Sequence, residues 1–227
     1  PVLVVVAGDV DPGLALERLE AAFGEIAASS AVRPAAPALD ASPLTVPLPV
    51  AVAQAQLGYI AAAPGPSEPA ADAWRLLLYV LSHGYEGRLG RKAISDAGLA
   101  YYIDSRYRAD GTNAWVTLST GVDPDKLAAL AALFREELAR LVTEPPTAAE
   151  VAEAKQHRLG RFVSAAQSND ELTSRLATEW LWYGELLTRD ALERRLAAVS
   201  PADVAAAARA FAAGTFVTVA HGEGPNR

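Results

Sequence analysis

The sequence predicts an α+β fold, with a mixed, mostly antiparallel sheet and helices packed on one face as a two-layer sandwich. Three observations predict it. Strand patterns and capped helix patterns follow one another as strands, helices, a hairpin, a long run of helices and a closing strand. The helix patterns carry one apolar stripe each, so each needs a sheet or another helix to cover it. Hydrophobic residues make up 51% of the 227-residue chain and charged ones 21%, which supplies a packed core and argues against disorder.

The elements follow in order. Residues 1–6, Pro-Val-Leu-Val-Val-Val, have the pattern of a buried strand. Asp11 then caps a helix that begins at Pro12 and carries Leu16, Leu19 and Phe23 on one side. Residues 28–49 hold five prolines among Ala and Ser and read as a surface linker. This divides the chain into three parts: residues 1–27, a terminal strand and helix of a preceding domain; the linker 28–49; and a main domain over 50–227. Together with the missing Met and signal peptide, this pattern reads as an excerpt of a longer polypeptide.

Residues 50–63 form a long strand that ends at Pro64-Gly65-Pro66. A helix follows over 69–82 with Ala73, Leu76, Leu77 and Val80 inward. Gly84 and Gly87 interrupt it, and a short second helix covers 86–96. Residues 100–108 and 113–120 pair as a hairpin across Asp110-Gly111. Gly121-Val122-Asp123-Pro124 opens a capped helix with Leu127, Leu130, Phe134, Leu138 and Leu141 on one face, and Glu144-Pro145-Pro146 stops it.

Thr147…Glu150 and Ser168…Glu171 both have the spacing of a capping box. The second starts a helix with Leu172, Leu176, Trp180 and Tyr183 inward and Gly184 past its end. Helices over 188–198 and 201–212 and a strand over 215–221 complete the chain, with Ser200 capping ahead of Pro201.

Several classes of chemistry find no support in these residues. The net charge of −7 argues against a nucleic-acid groove, and no apolar run has the length of a membrane span. The chain has no Cys, so it has neither a thiolate nucleophile nor a Cys-ligated metal. Three His are present. His83-Gly84-Tyr85-Glu86-Gly87 is the nearest approach to H-x-x-E-H, the motif in which two His hold zinc and a Glu activates its water. The second His is absent and two Gly make a poor helix, so His83 reads as a turn or helix-end residue. His157 reads as a solvated helix residue, and His221 ends the last strand. No metal site and no catalytic residue is expected within the chain.

Two features point to binding. Tyr101 and Tyr102 stand at the start of a strand, where alternation sends one inward and leaves the other on the open surface. Gln54 and Gln56 share a strand face with Gly58 beside them. Such a stripe either admits an extended peptide or is simply a solvated face.

Taken together, four segments resemble one family. Gly87-Arg88-Leu89 followed by Gly98-Leu99-Ala100-Tyr101 resembles the "S-R-L … L-R-E-K-x-G-L-A-Y" block of pitrilysin/insulinase-type metallopeptidases, the family of the mitochondrial processing peptidases. Residues 4–11 resemble its "V-V-V-G-D-v-d" strand, Thr147 to Lys155 its "T-x-x-E-l-x-x-a-K" helix start, and Ser200 to Val204 the helix before its final strand. The resemblance covers nearly the whole chain and implies the family's second, zinc-free domain. That domain faces a separate zinc-bearing H-x-x-E-H domain, in the same or another chain, across a chamber that takes unfolded peptides.

On this resemblance the chain holds no cofactor, zinc lies in the partner domain, and the chain alone is inactive. Tyr101 falls on a position that binds substrate. Its usual Arg companion, seven residues earlier, is Ile94 here. Arg88 fills the "S-R-L" position and is a second, weaker substrate-binding candidate. The loss of the companion Arg leaves an alternative open, a structural or assembly subunit that keeps the fold without catalysis.

Overall fold

A computed structural model describes residues 2–26, 40, 42, 44–48, 54–110, 112–214 and 217–221, with 44–48 and 217–221 as backbone only. The five described strands are β1 Leu44–Leu48, β2 Ala55–Ala62, β3 Asp104–Ala109, β4 Ala114–Val122 and β5 Val217–His221. Their order across one sheet is β1-β5-β2-β4-β3. β1 runs parallel to β5 and every other neighbouring pair is antiparallel, so the sheet is mixed and mostly antiparallel, as expected.

The eight described α-helices are α1 Pro12–Phe23, α2 Ala70–Ser82, α3 Arg88–Gly90, α4 Leu127–Thr143, α5 Ala148–Ser164, α6 Asn169–Tyr183, α7 Arg189–Ala198 and α8 Pro201–Ala213. None is long and apolar enough by itself to cross a membrane.

Strand alternation decides which sheet face is covered. Ala55, Leu57, Tyr59 and Ala61 of β2 are buried, as are Val116, Leu118 and Thr120 of β4. Gln56 and Ile60 point the other way, with Gly58 between them and Thr117 and Ser119 across from Ile60 and Gly58, and these residues keep some exposure. Helices therefore cover one face.

α2 lies at the centre of that layer and is buried almost all round, packed by α8, α5 and β3. α4 presents the stripe of Leu127, Leu130, Phe134, Leu138 and Leu141, all buried. Phe134 stacks on Tyr59 of the sheet, and Phe211 of α8 meets Trp74 edge-on, each at 5.6 Å.

The capping chemistry sets most helix starts. Asp11 accepts from Leu14 N at 2.8 Å. Thr147 with Glu150, and Ser200 with Asp203, form complete capping boxes. Ser168 forms only the forward half, accepting from Glu171 N at 3.1 Å. Gly184 ends α6 with φ 70°, where a side chain would be strained.

Several expectations are corrected. Residues 2–7 form no strand, and Val2, Leu3, Val4 and Val6 are exposed, because no described strand lies beside them to complete a ladder. α1 forms but buries none of its residues. The expected linker contains β1. Pro47 conceals it in the sequence, yet an edge strand tolerates the missing N–H. Tyr101 and Tyr102 precede β3 instead of starting it, and both are exposed.

The 86–96 helix is a single α-turn that continues as a π-helix over Arg91–Asp96, with Ala97 N bonded to Lys92 O. Pro124–Lys126 is a 3-10 turn ahead of α4, and the Asp123 side chain does not cap it. In α6 the buried residue is Glu179, while Trp180 is 51% exposed. Residues 27–39, 49–53, 111 and 215–216, which carry parts of the linker, strand and turn expectations, lie outside the described residues.

Candidate functional site

The candidate site is the end of the open sheet face where the segment after the π-helix meets the ends of β2 and β4. A backbone bond from Tyr101 N to Gly121 O (3.1 Å) and the Ala100–Val122 bridge tie this segment to β4. Leu99 N and Ala100 N both bond Ala93 O, which fixes the exit from the π-helix. Gly98 adopts φ 58°, a left-handed turn that suits Gly.

Two exposed tyrosines project from this frame. The Tyr101 hydroxyl donates to Asp123 Oδ1, and Asp123 Oδ2 pairs with Lys126 Nζ at 2.9 Å. The Tyr101 hydroxyl, then Lys126, hold the Asp123 carboxyl below its ordinary range; the same bond raises the Tyr101 phenol. The Tyr102 hydroxyl donates to Gln56 Oε1 at 2.7 Å. Gly121 lies beneath, where a Cβ would stand 2.6 Å from Gln54 Nε2 and 3.0 Å from Tyr102 Cε1. Tyr101, Tyr102, Gln54 and Gln56, which sequence reasoning singled out separately, thus gather in one patch. It offers hydroxyl and amide groups to a polar ligand but no nucleophile–base pair.

Ile94 lies away from any cationic role, half-buried against the core. Arg88 is bound within the protein. Its Nε and Nη2 donate to Glu150 Oε1 and Oε2, both at 2.8 Å, and Nη2 also reaches Pro145 O at 3.2 Å.

His83 is the C-cap of α2 in extended conformation, and its N–H bonds Tyr79 O at 3.0 Å. Residues 83–86 lie in a turn after α2, so the His83–Glu86 pair does not have the helical geometry of the H-x-x-E-H motif, and Glu86 pairs with Arg91 at 3.6 Å. No group of three or more metal-ligating side chains occurs among the described residues.

Two groupings escaped sequence reasoning. His83, Tyr79 and His157 form an aromatic cluster with centroids 4.3, 4.5 and 4.8 Å apart, although His157 lies 74 residues beyond His83. Asp72 of α2 is buried and joins Arg75 at 2.8 Å and Arg195 at 2.9 Å. An i,i+3 Asp–Arg pair inside an apolar helix stripe was the available signal for the second; the first had none.

The comparisons agree with this architecture. Residues 2–157 match the family model described as the peptidase M16 inactive domain. No curated protein matches the chain in sequence. Among solved structures, a Helicobacter pylori protease superposes with a TM-score of 0.75 at 17% identity, covering 94% of this chain and 53% of that one. The peptidase M16 inactive domain from Pseudomonas fluorescens gives 0.69 at 18% identity, covering 82% and 44%. Complex III2 from Candida albicans has a chain with 0.67 at 11%, covering 78% and 45%. The chain thus spans about half the length of these structures, and at these identities they show the fold. By the family model over most of its length, the chain belongs to the peptidase M16 inactive domain family.

Proposed function

We propose that this domain completes the substrate chamber of a zinc endopeptidase and binds peptide there, while a separate H-x-x-E-H domain performs the hydrolysis. The observation that carries this reading is the Tyr101–Tyr102 patch. Two exposed phenols are held by Asp123 and Gln56 on a sheet face that the described helices leave open, a surface suited to peptide groups. Tyr101 is the assigned substrate contact. Arg88 is tied to Glu150, so this reading gives it no direct contact with peptide.

On this reading residues 1–27 are the terminal strand and helix of a preceding domain. Their exposed Val2, Val6, Leu16 and Phe23 would then be covered by it, and the 2–7 segment would gain a strand partner.

In the full-length protein, Tyr101→Ala should lower kcat/KM for an unfolded peptide at least tenfold while leaving the melting temperature unchanged. An unchanged kcat/KM would remove Tyr101 from the role. The isolated chain should cleave no peptide and retain no zinc; stoichiometric zinc lost on His83→Ala would overturn the assignment.

A second reading, a structural subunit without catalysis, is favoured by one observation: Ile94, a half-buried aliphatic residue, occupies the position of the expected cation. The sequence of the partner domain separates the two: an H-x-x-E-H motif there supports the peptidase, and its absence supports the structural subunit.

A further inference from the structure

On the helical side of the sheet, β3, α2, α5 and the end of α6 enclose a cleft of about 610 Å³. It is separate from the Tyr101 patch. Its walls bring together Arg75, Arg158 and Arg161 with Ser105, Asp104 and His157.

The donors and acceptors here do not balance. Arg75 is 92% buried, at 8% relative exposure, and spends only Nη1, on Asp72 Oδ1 at 2.8 Å. Its Nε and Nη2 are buried with no hydrogen-bond partner, and so is Arg158 Nε. Buried guanidinium N–H groups normally find acceptors. Asp72 cannot serve both arginines, because its other oxygen takes Arg195 at 2.9 and 3.0 Å. Of the remaining charges, Asp104 pairs with Arg106 at 2.7 Å, and Arg161 reaches Glu171 at 4.0 Å.

Arg75 also sits over the Tyr107 and Trp182 rings, 4.3 and 5.1 Å from their centroids. Ring faces attract the cation, but stacking leaves the N–H bonds in the guanidinium plane unspent. Burial, and then the like charge of Arg75, hold the Arg158 guanidinium below its usual value. A bound anion would relieve both.

We infer that this cleft is an oxyanion site that takes a carboxylate between Arg75 and Arg158. The free Nε and Nη2 of Arg75 form one fork, and the free Nε of Arg158 adds a third donor, which together match a carboxylate's two oxygens. The carboxylate has two sources, a small free dicarboxylate or the Glu or Asp side chain of a peptide. β3 is the sheet edge, and its Asp104 and Ser105 line the cleft, so an extended peptide has an open strand beside it. The site itself does not depend on the peptide-chamber reading.

The test is a titration of the 227-residue chain followed by the side-chain Nε–Hε NMR signals of Arg75 and Arg158. The probes are glutarate, inorganic phosphate, and a ten-residue peptide with one central Glu or with Gln in its place. Saturable shifts of both signals with glutarate or the Glu peptide are expected. Arg158→Gln should weaken that binding at least tenfold and leave the melting temperature unchanged or higher.

A Glu peptide that binds tenfold tighter than both its Gln counterpart and glutarate identifies a peptide source. A glutarate response without a peptide response keeps the site and identifies a small free carboxylate as its source. Absence of saturable shifts with both carboxylate probes overturns the inference in the wild-type chain alone, even if phosphate binds. Unweakened binding in a folded Arg158→Gln variant overturns it as well.

Discussion

Arg88 and Glu150 join two helices that lie 62 residues apart in sequence. Glu150 accepts two 2.8 Å hydrogen bonds from the guanidinium and also accepts from Thr147 N at 2.7 Å. One carboxylate therefore closes the α5 capping box and anchors α3. The Arg88 hydrogen bonds lead in pushing the Glu150 carboxyl down to about 2.

The sign of the pH effect follows from this depression. A depressed acid contributes its stability above its unfolded value near 4.5 and loses it as pH falls toward about 2. Arg88→Ala should cost about 1–2 kcal/mol at pH 7, since the pair is partly solvent-screened and its hydrogen bonds are charge-assisted. Urea unfolding of wild type and variant should converge between pH 4.5 and pH 2.5. A constant difference over that range would assign the cost to lost packing alone.

The aromatic cluster of His83, Tyr79 and His157 predicts a slope of the same sign at higher pH. Burial first, then the charges of His83, Arg161 and Arg158, lower the His157 pKa, while Glu153 opposes. A base with a depressed folded pKa is protonated more readily in the unfolded chain, so stability falls as pH drops below about 6.5. His157→Gln should flatten the melting-temperature profile between pH 7.5 and pH 5. NMR titration of His157 in the folded chain should give a midpoint below the ordinary histidine value.

Asp72 is the buried carboxylate on which Arg75 and Arg195 converge. Burial would raise its pKa, yet Arg75, Arg195 and Arg158 together prevail and hold it below the ordinary range. Asp72→Ala leaves two guanidinium groups without their anion and should cost about 3–5 kcal/mol. Arg195→Ala leaves the Arg75 pair intact, so its cost should be smaller. Thermal melts of the two variants check the order; a larger loss for Arg195→Ala would assign the stability to its contact with the Tyr183 ring, 4.5 Å away.

These sites differ in how far the sequence revealed them. The stripe of α4, the boxes at Thr147 and Ser200, and Gly184 are local signals, because their partners lie within one or two helical turns. β1 was missed because its pairing is with β5, more than 170 residues away, and prolines mask the pattern. The 2–7 segment has strand composition but no neighbouring strand among the described residues, and composition does not supply one. The polar patch was half legible. Alternation placed Gln56 on the open face, but the meeting of Tyr102 with Gln56 depends on the Ala100–Val122 bridge.

Two glycines give the last prediction, because one packing argument sends them in opposite directions. Gly90 ends α3, and a Cβ there would stand 1.9 Å from Gly84 O and 3.0 Å from Gly84 C. Those are backbone atoms of the turn that carries His83, so no side-chain rotation relieves the overlap. Gly90→Ala must displace the turn or α3, and should cost about 3 kcal/mol or more. Gly160 lies inside α5, where a Cβ meets nothing within 4 Å. Gly160→Ala only removes unfolded-state freedom and improves helix propensity, so it should add about 0.5–1 kcal/mol. Chemical denaturation of both variants tests the pair. If Gly90→Ala loses no more than an ordinary surface substitution, α3 and the Gly84 turn separate at little cost and the close approach does not constrain them.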